Sequence, residues 1–135
     1  MNKISASIIL LTVFFGLQSR SQHVKNITGI KVPDDLENIK VQSLYNDSLS
    51  SSFLIWIDKE VKLHYHANHT EQVYILQGTG IMKVNNQSYD VSPGDLIYIP
   101  PRAHHSVKVL SDEPMKVLSI QAPKFVGEDR VFVKD

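Results

Sequence analysis

The feature that most constrains the fold is a series of short runs rich in β-branched and aromatic residues, each bounded by turn-forming residues. None of these runs shows a sustained helical period, and their lengths are those of ordinary strands. Turn signals such as Asn85-Asn86 and Ser92-Pro93-Gly94 separate them. The eight predicted strands cover residues 39–45, 53–59, 61–66, 71–77, 81–84, 96–100, 106–110 and 115–121.

Many short strands at close spacing predict an all-β protein, either a sandwich or a barrel. The chain of 135 residues supports one domain with a single core, so one small jelly-roll barrel fits best. Asn85-Asn86 predicts a two-residue hairpin, because Asn tolerates the left-handed backbone that such turns require. A further strand is predicted over 130–133, in a position from which it could cross to a partner chain.

The N-terminus has the pattern of a secretory signal peptide. Lys3 precedes an apolar run over 4–17, and the small residues Ser19 and Ser21 follow that run. The run is shorter than the about 20 apolar residues of a spanning helix, so we expect cleavage after Ser21 instead of an uncleaved membrane anchor. The expected product is secreted or periplasmic, with no membrane association after cleavage. The predicted divisions are a signal peptide over 1–21, an N-terminal arm over 22–38, a barrel over 39–123 and a C-terminal tail over 124–135.

The charge balance points to a small-molecule partner. Fourteen basic residues face fourteen acidic ones, and no basic patch or Lys/Arg run interleaved with aromatic residues is present in the sequence. We therefore expect no nucleic acid and no anionic membrane surface as partner. The sequence contains no cysteine, which excludes disulfides and thiol catalysis.

Candidate metal ligands concentrate around the third and fourth predicted strands. Alternate side chains of a strand share one face, so His64 and His66 project the same way. A turn after this strand would bring Glu71 back beside the two imidazoles. His104 or His105 is a candidate fourth ligand. Imidazoles and a carboxylate on one face suit one divalent transition metal such as Fe, Mn, Ni, Cu or Zn.

These residues match a known pattern, since the chain resembles the cupin superfamily of small β-barrels with two sequence motifs. The first motif is Gly, five residues, His-x-His, three or four residues, Glu, six residues, Gly. Its matches are His64, His66, Glu71 and Gly78, and Asp58 stands in place of the leading Gly.

The second motif is Gly, five residues, Pro-x-Gly, two residues, His, three residues, Asn. Its matches are Gly94, Pro100 and His105, whereas Arg102 replaces the motif Gly and Val109 replaces the Asn. The resemblance implies a double-stranded β-helix, or jelly-roll barrel, in which His64, His66, Glu71 and His105 hold one metal at the barrel mouth. It also implies pairing of two copies through their sheets, so we expect a homodimer.

Several neighbouring residues have candidate roles. Arg102 precedes His105 and could clamp a substrate carboxylate, because a guanidinium fork matches that geometry; an exposed loop position is the alternative. Ser119 and Gln121 share a strand face and could supply hydrogen bonds to a substrate.

Other polar residues near the motifs are assigned to the structure. We expect His69 to be an exposed loop residue, and His104 to face away from the site because its neighbour His105 matches the motif. Tyr74 and Tyr98 are expected to pack and not to act as catalytic phenols.

Three functions are compatible with this sequence, and a fold alone does not choose among them. The first is a secreted enzyme in which a Lewis-acid metal acts on a small oxygenated substrate such as a sugar acid or other carboxylate. The second is a metal-dependent dioxygenase of the quercetin- or oxalate-oxidising kind. The third is a non-catalytic module that binds a sugar or another small ligand.

Overall fold

The computed structural model describes residues 23–133, which form ten strands and contain no helix. The predicted signal peptide therefore lies outside the described residues. Across the part of the chain that is described, no helix is long and apolar enough to cross a membrane. The strands are β1 (Ile39–Asn46), β2 (Ser51–Ile57), β3 (Glu60–His66), β4 (Thr70–Gln77), β5 (Gly80–Val84), β6 (Gln87–Val91), β7 (Leu96–Ile99), β8 (His105–Val109), β9 (Met115–Ala122) and β10 (Arg130–Phe132).

The strands form two antiparallel five-stranded sheets, as the all-β prediction requires. Sheet A has the order β1-β2-β9-β4-β7, and sheet B has the order β10-β3-β8-β5-β6. The apolar core lies between the two inner faces. Its buried members include Ile55, Ile57, Ile75, Met82, Ile99 and Met115.

All eight predicted strands are present, with ends within two residues of the prediction. The predicted hairpin joins β5 to β6, and Asn85 in its turn adopts a φ of 53°. The last predicted strand is β10, which pairs with β3 of the same chain. Within the described chain this strand completes the edge of sheet B, and both its possible crossing to a partner and the homodimer stay predictions.

The N-terminal arm lies over the outer face of sheet A. On β2, Ile55 and Ile57 face the core, so Leu54 and Trp56 face outward, yet Leu54 is 0% and Trp56 1% exposed. Lys116, the cross-strand neighbour of Trp56, donates a hydrogen bond from Nζ to the carbonyl of Thr28 at 2.9 Å. This bond holds the arm over the two apolar side chains.

Tyr74 and Tyr98 lie farther along the outer face of sheet A, on β4 and β7. Their exposed fractions are 38% and 61%, so the expectation that they pack was wrong. Glu71 faces inward, and Tyr74 is three positions later on the same strand. An odd offset along a strand places two side chains on opposite faces, so Tyr74 faces outward. Neither phenol lies on the inner face.

The start of β5 approaches its neighbours too closely for a side chain. A Cβ at Gly80 would lie 2.6 Å from the carbonyl oxygen of Lys108 and 2.8 Å from Sδ of Met115. The methionine side chain can move aside, but the Lys108 carbonyl belongs to the backbone of β8. Only glycine therefore fits this position without a shift of the strand.

We predict that Gly80→Ala lowers the free energy of unfolding by about 1–3 kcal/mol, because overpacking forces the backbone to move. Urea unfolding followed by tryptophan fluorescence measures this change. Gly29→Ala is the matched control, because a Cβ there would meet no atom nearer than 3.9 Å. Equal midpoints for the two variants would contradict the close approach.

Candidate metal centre

Three histidines of sheet B converge between the sheets. His64 and His66 project inward from β3, and His105 of β8 is the direct cross-strand neighbour of His64. All three are buried, with exposed fractions of 3%, 1% and 3%. Each offers one ring nitrogen, and these nitrogens all lie within 4.8 Å of one another. This cluster could hold a metal ion.

The adjacent His104 faces outward, as the alternation along the strand predicted. Its ring is exposed and stacks on Tyr65, with ring centroids 5.2 Å apart. His105 is therefore the residue that joins the cluster.

Backbone carbonyls fix the tautomers of two of these imidazoles. Nδ1 of His64 donates to the carbonyl of Lys62 at 2.8 Å, and Nδ1 of His105 donates to the carbonyl of Ala103 at 2.9 Å. A carbonyl oxygen can only accept, so in a neutral ring the proton is on Nδ1 and the Nε2 lone pair is free. This arrangement prepares both side chains to bind a cation through Nε2.

The pKa of His64 favours the neutral form. Burial lowers the pKa of His64 to about 4, and the nearby His105 and Arg130 act in the same direction. A metal requires a neutral imidazole, so His64 is in the binding form at ordinary pH.

Sheet A supplies the carboxylate of the cluster. Oε2 of Glu71 lies 3.3 Å from Nε2 of His66 and 3.4 Å from Nε2 of His105. Burial raises the pKa of the Glu71 carboxyl, but the proximity of His105 and His66 and the hydrogen bond from Ser119 outweigh that effect and leave the pKa well below its usual range. Glu71 is therefore a carboxylate.

Ser119 and Gln121 of β9 hold the second oxygen of Glu71. Ser119 Oγ donates to Oε1 at 2.5 Å, and Gln121 Nε2 donates to the same oxygen at 3.3 Å. The two residues share a face as predicted, but the structure directs these groups to the carboxylate, where they orient Oε2 toward the histidines.

The structure does not bring Arg102 to the cluster. Its side chain is exposed. Its φ of 67° is in the left-handed region, which glycine adopts most easily, and this explains why the motif has a Gly at this position. The Arg102 amide donates to the carbonyl of His66 at 2.7 Å. The backbone of this residue therefore supports the site, while its side chain faces solvent.

Unpartnered ring nitrogens show that the cluster fits a metal. Both ring nitrogens of His66 and Nε2 of His105 are buried without a hydrogen-bond partner among the described residues. Buried polar atoms are normally paired, and leaving them unpaired is costly. Three imidazoles and one carboxylate are also a donor set that suits a borderline divalent metal.

His69 differs from its prediction, because it is only 4% exposed. Nδ1 of His69 contacts Oδ2 of Asp129 at 2.5 Å, and Nε2 lies 3.1 Å from the carbonyl of Lys124. Both ring nitrogens therefore face acceptors, which suits the imidazolium form. Burial alone would lower the pKa of His69, but these bonds to Asp129 and Lys124 raise it.

The Asp129 carboxylate organises the whole turn between β3 and β4. It accepts hydrogen bonds from the backbone amide of Asn68 at 3.0 Å and from that of His69 at 3.1 Å, and from the Asn68 side chain at 3.0 Å. The Ala67 amide donates to the Asp129 carbonyl at 3.2 Å. This turn connects His66 to Glu71, so Asp129 sets the position of the carboxylate strand relative to the histidine strand.

Sequence reasoning missed Asp129 and Arg130, which lie in the predicted tail. No motif or spacing marks them, because they meet the site only through the pairing of β10 with β3. The prediction of a strand over 130–133 was the one signal near them.

An apolar cavity of about 60 Å³ lies against the histidine cluster. Its lining consists mostly of core side chains such as Ile55, Ile75, Met82 and Val117. Among the described residues, its polar lining consists of His64, Glu71, His105, Ser106 and Arg130.

Comparison with known proteins agrees with this architecture. The family model described as "Cupin domain" matches residues 54–121. An uncharacterized protein of Methanocaldococcus jannaschii is 34% identical over 76 residues, which are 56% of this chain and 61% of that protein. The chain thus spans about three fifths of the length of that relative.

A second relative has a named activity. L-ectoine synthase of Aliivibrio fischeri is 31% identical over 90 residues, which cover 64% of this chain and 70% of that enzyme. Among solved structures, an uncharacterized conserved protein with a double-stranded β-helix domain from Klebsiella pneumoniae aligns with a TM-score of 0.72 at 14% identity. That alignment covers 85% of this chain and 100% of the other, and it shows a shared fold.

We predict that Asp129→Asn destabilises the fold by about 2 kcal/mol at pH 5–6, because hydrogen bonds to a charged group are lost. Burial raises the pKa of Asp129, but His69 and the turn amides lower it below its ordinary value of 3.8. The stabilisation by Asp129 is therefore present above pH 3.8 and is lost as the pH falls through the lowered pKa. The stabilisation by His69 is present below its ordinary value of 6.5 and is lost as the pH rises through the raised pKa.

The difference in free energy of unfolding between wild type and Asp129→Asn should therefore be largest between about pH 4 and 6.5. It should become smaller below and above this range. Urea unfolding across this pH range measures it. Asp112→Asn removes an exposed carboxylate and serves as the control for net charge. A pH-independent difference would show that the ion pair is not its source.

Proposed function

The chain belongs to the cupin family, and on this premise we propose that it is a metal-dependent enzyme. In this proposal His64, His66, His105 and Glu71 hold one divalent transition metal, which is Fe, Mn, Ni, Cu or Zn. The substrate is a small oxygenated molecule such as a sugar acid or other carboxylate. The observation that most supports the site is the set of buried, unpartnered imidazole nitrogens beside the Glu71 carboxylate.

The bound metal would supply Lewis acidity, which polarises a carbonyl or enol and stabilises developing negative charge. The residues of the chain prepare the site for this chemistry. Lys62 and Ala103 carbonyls hold two imidazoles in the binding tautomer, and Ser119 holds Glu71 in position. The aliphatic side chains of the cavity make one side of the cluster less polar than water, which strengthens electrostatic interactions there.

The relative named L-ectoine synthase supports a catalytic role. A dioxygenase is the second candidate, and the aliphatic lining of the cavity favours it, because such a lining suits O₂ or an apolar substrate. The identity of the metal separates the two. A redox-active metal favours O₂ chemistry, whereas Zn favours Lewis-acid chemistry. Tight ligand binding without turnover would instead indicate a binding module.

We predict that His66→Ala weakens metal binding by at least about tenfold, since one ligand of four is lost. Elemental analysis of protein purified without a histidine-containing tag should find about one equivalent of metal in the wild type and much less in this variant. His104→Ala is the matched control, because that ring is exposed and stacks on Tyr65.

The metal assignment would be wrong if His66→Ala and His104→Ala retained the same stoichiometry. Circular dichroism of both variants checks that each is folded. The absence of any metal in the wild type, even after reconstitution, would favour the binding module.

A further inference from the structure

Arg130 reaches the cavity from the edge strand of sheet B. It is the direct cross-strand neighbour of His66 in the pairing of β10 with β3. Residues directly opposite each other share a face, so the Arg130 side chain projects inward, as His66 does. Arg130 lines the same cavity as His64, Glu71 and His105.

The guanidinium has no partner within the part of the chain that the structure describes. Its Nε is buried without a hydrogen bond, and no carboxylate forms an ion pair with it. Glu71, which lines the same cavity, and Asp129, which precedes Arg130 in the chain, both have other partners. Glu71 faces the imidazoles and Ser119, and Asp129 binds the turn of Asn68 and His69.

Arg130 as a whole is half-buried, but its Nε–H is buried without an acceptor, which is costly unless a ligand supplies one. A guanidinium fork matches a carboxylate with two parallel hydrogen bonds. The cavity therefore has a binding group for an anionic ligand and lacks the anion within the chain itself.

The rest of the cavity limits what that anion carries. Aliphatic side chains and methionines form most of the lining, and they offer no partners to the hydroxyl groups of a sugar acid. The volume of about 60 Å³ is well below the about 150 Å³ of an engineered cavity that holds benzene. The enclosed space therefore fits only the short apolar end of a ligand, while its carboxylate lies at the half-buried Arg130.

We propose that Arg130 binds the carboxylate of the ligand, and that the ligand is a short-chain 2-oxo or 2-hydroxy acid with an apolar remainder. This inference rests on the proposed function, because the 2-oxygen would face the histidine cluster. It narrows the proposed substrate class from small oxygenated carboxylates in general to 2-oxo and 2-hydroxy acids with a short apolar chain. It also gives Arg130 the role that the sequence suggested for Arg102.

The test uses isothermal titration calorimetry with three probes on the metal-loaded protein. 2-Oxobutyrate has the proposed chemistry, 2,3-pentanedione replaces its carboxylate with a neutral acetyl group, and glucuronate is a sugar acid. We predict that 2-oxobutyrate binds more tightly than the other two. Arg130→Gln should weaken 2-oxobutyrate binding by about tenfold to a hundredfold, and Arg130→Lys by less, because the charge remains without the fork.

Arg102→Gln is the matched control, since it removes an arginine that the structure places outside the cavity. It should leave 2-oxobutyrate binding unchanged. Metal content, measured on every sample, separates this inference from the proposed function. The inference holds if Arg130→Gln retains its metal and loses the affinity for 2-oxobutyrate.

The inference is overturned if 2-oxobutyrate does not bind the wild type, or binds Arg130→Gln and wild type equally. Tighter binding of glucuronate would overturn the apolar ligand class while the metal site stood. Loss of metal from Arg130→Gln would show that Arg130 supports the cluster and not the ligand. If the wild type holds no metal, the proposed function fails, and the same titration on metal-free protein still decides whether Arg130 binds a carboxylate.

Discussion

The structure depends on how it compensates charged and polar groups buried between two sheets. Burial disfavours the ionised form of Glu71 and the protonated form of His64. The structure compensates the two side chains in different ways. Glu71 receives hydrogen bonds and remains ionised, whereas His64 remains neutral and donates to a backbone carbonyl. Asp129 and His69 form a buried charged pair, which holds the turn that connects the two ligand-bearing strands. The position of the candidate metal ligands therefore depends on the geometry of this turn.

The sequence predicted the parts that follow from alternation along a strand. His64 and His66 share a face, and His105 joins them while His104 faces out, because a strand has a period of two. The strand positions followed in the same way from residue preferences and turn signals. These are local properties, and local properties can be read from a single sequence.

The remaining parts depend on contacts between residues far apart in the chain. His69 was expected to be exposed, because nothing near it in sequence indicates that Asp129, sixty residues later, covers it. Arg102 and Arg130 illustrate the same limit. Both are arginines near predicted strand ends, and only the pairing of β10 with β3 shows that Arg130 faces the cavity. The hydrogen bonds from Ser119 and Gln121 to Glu71 likewise required the register between β4 and β9.

The ligand set draws on both halves of the barrel. The three histidines belong to sheet B and Glu71 belongs to sheet A, and the described contacts between the sheets are otherwise mostly those of apolar side chains. Any cation bound by all four residues is thus a cross-link between two layers that no disulfide joins, since the chain has no cysteine. A ligand that binds only the folded state adds about 2.7 kcal/mol to stability at a hundred times its dissociation constant. The supply of such a cation would then set what fraction of the chain is folded under conditions that favour unfolding.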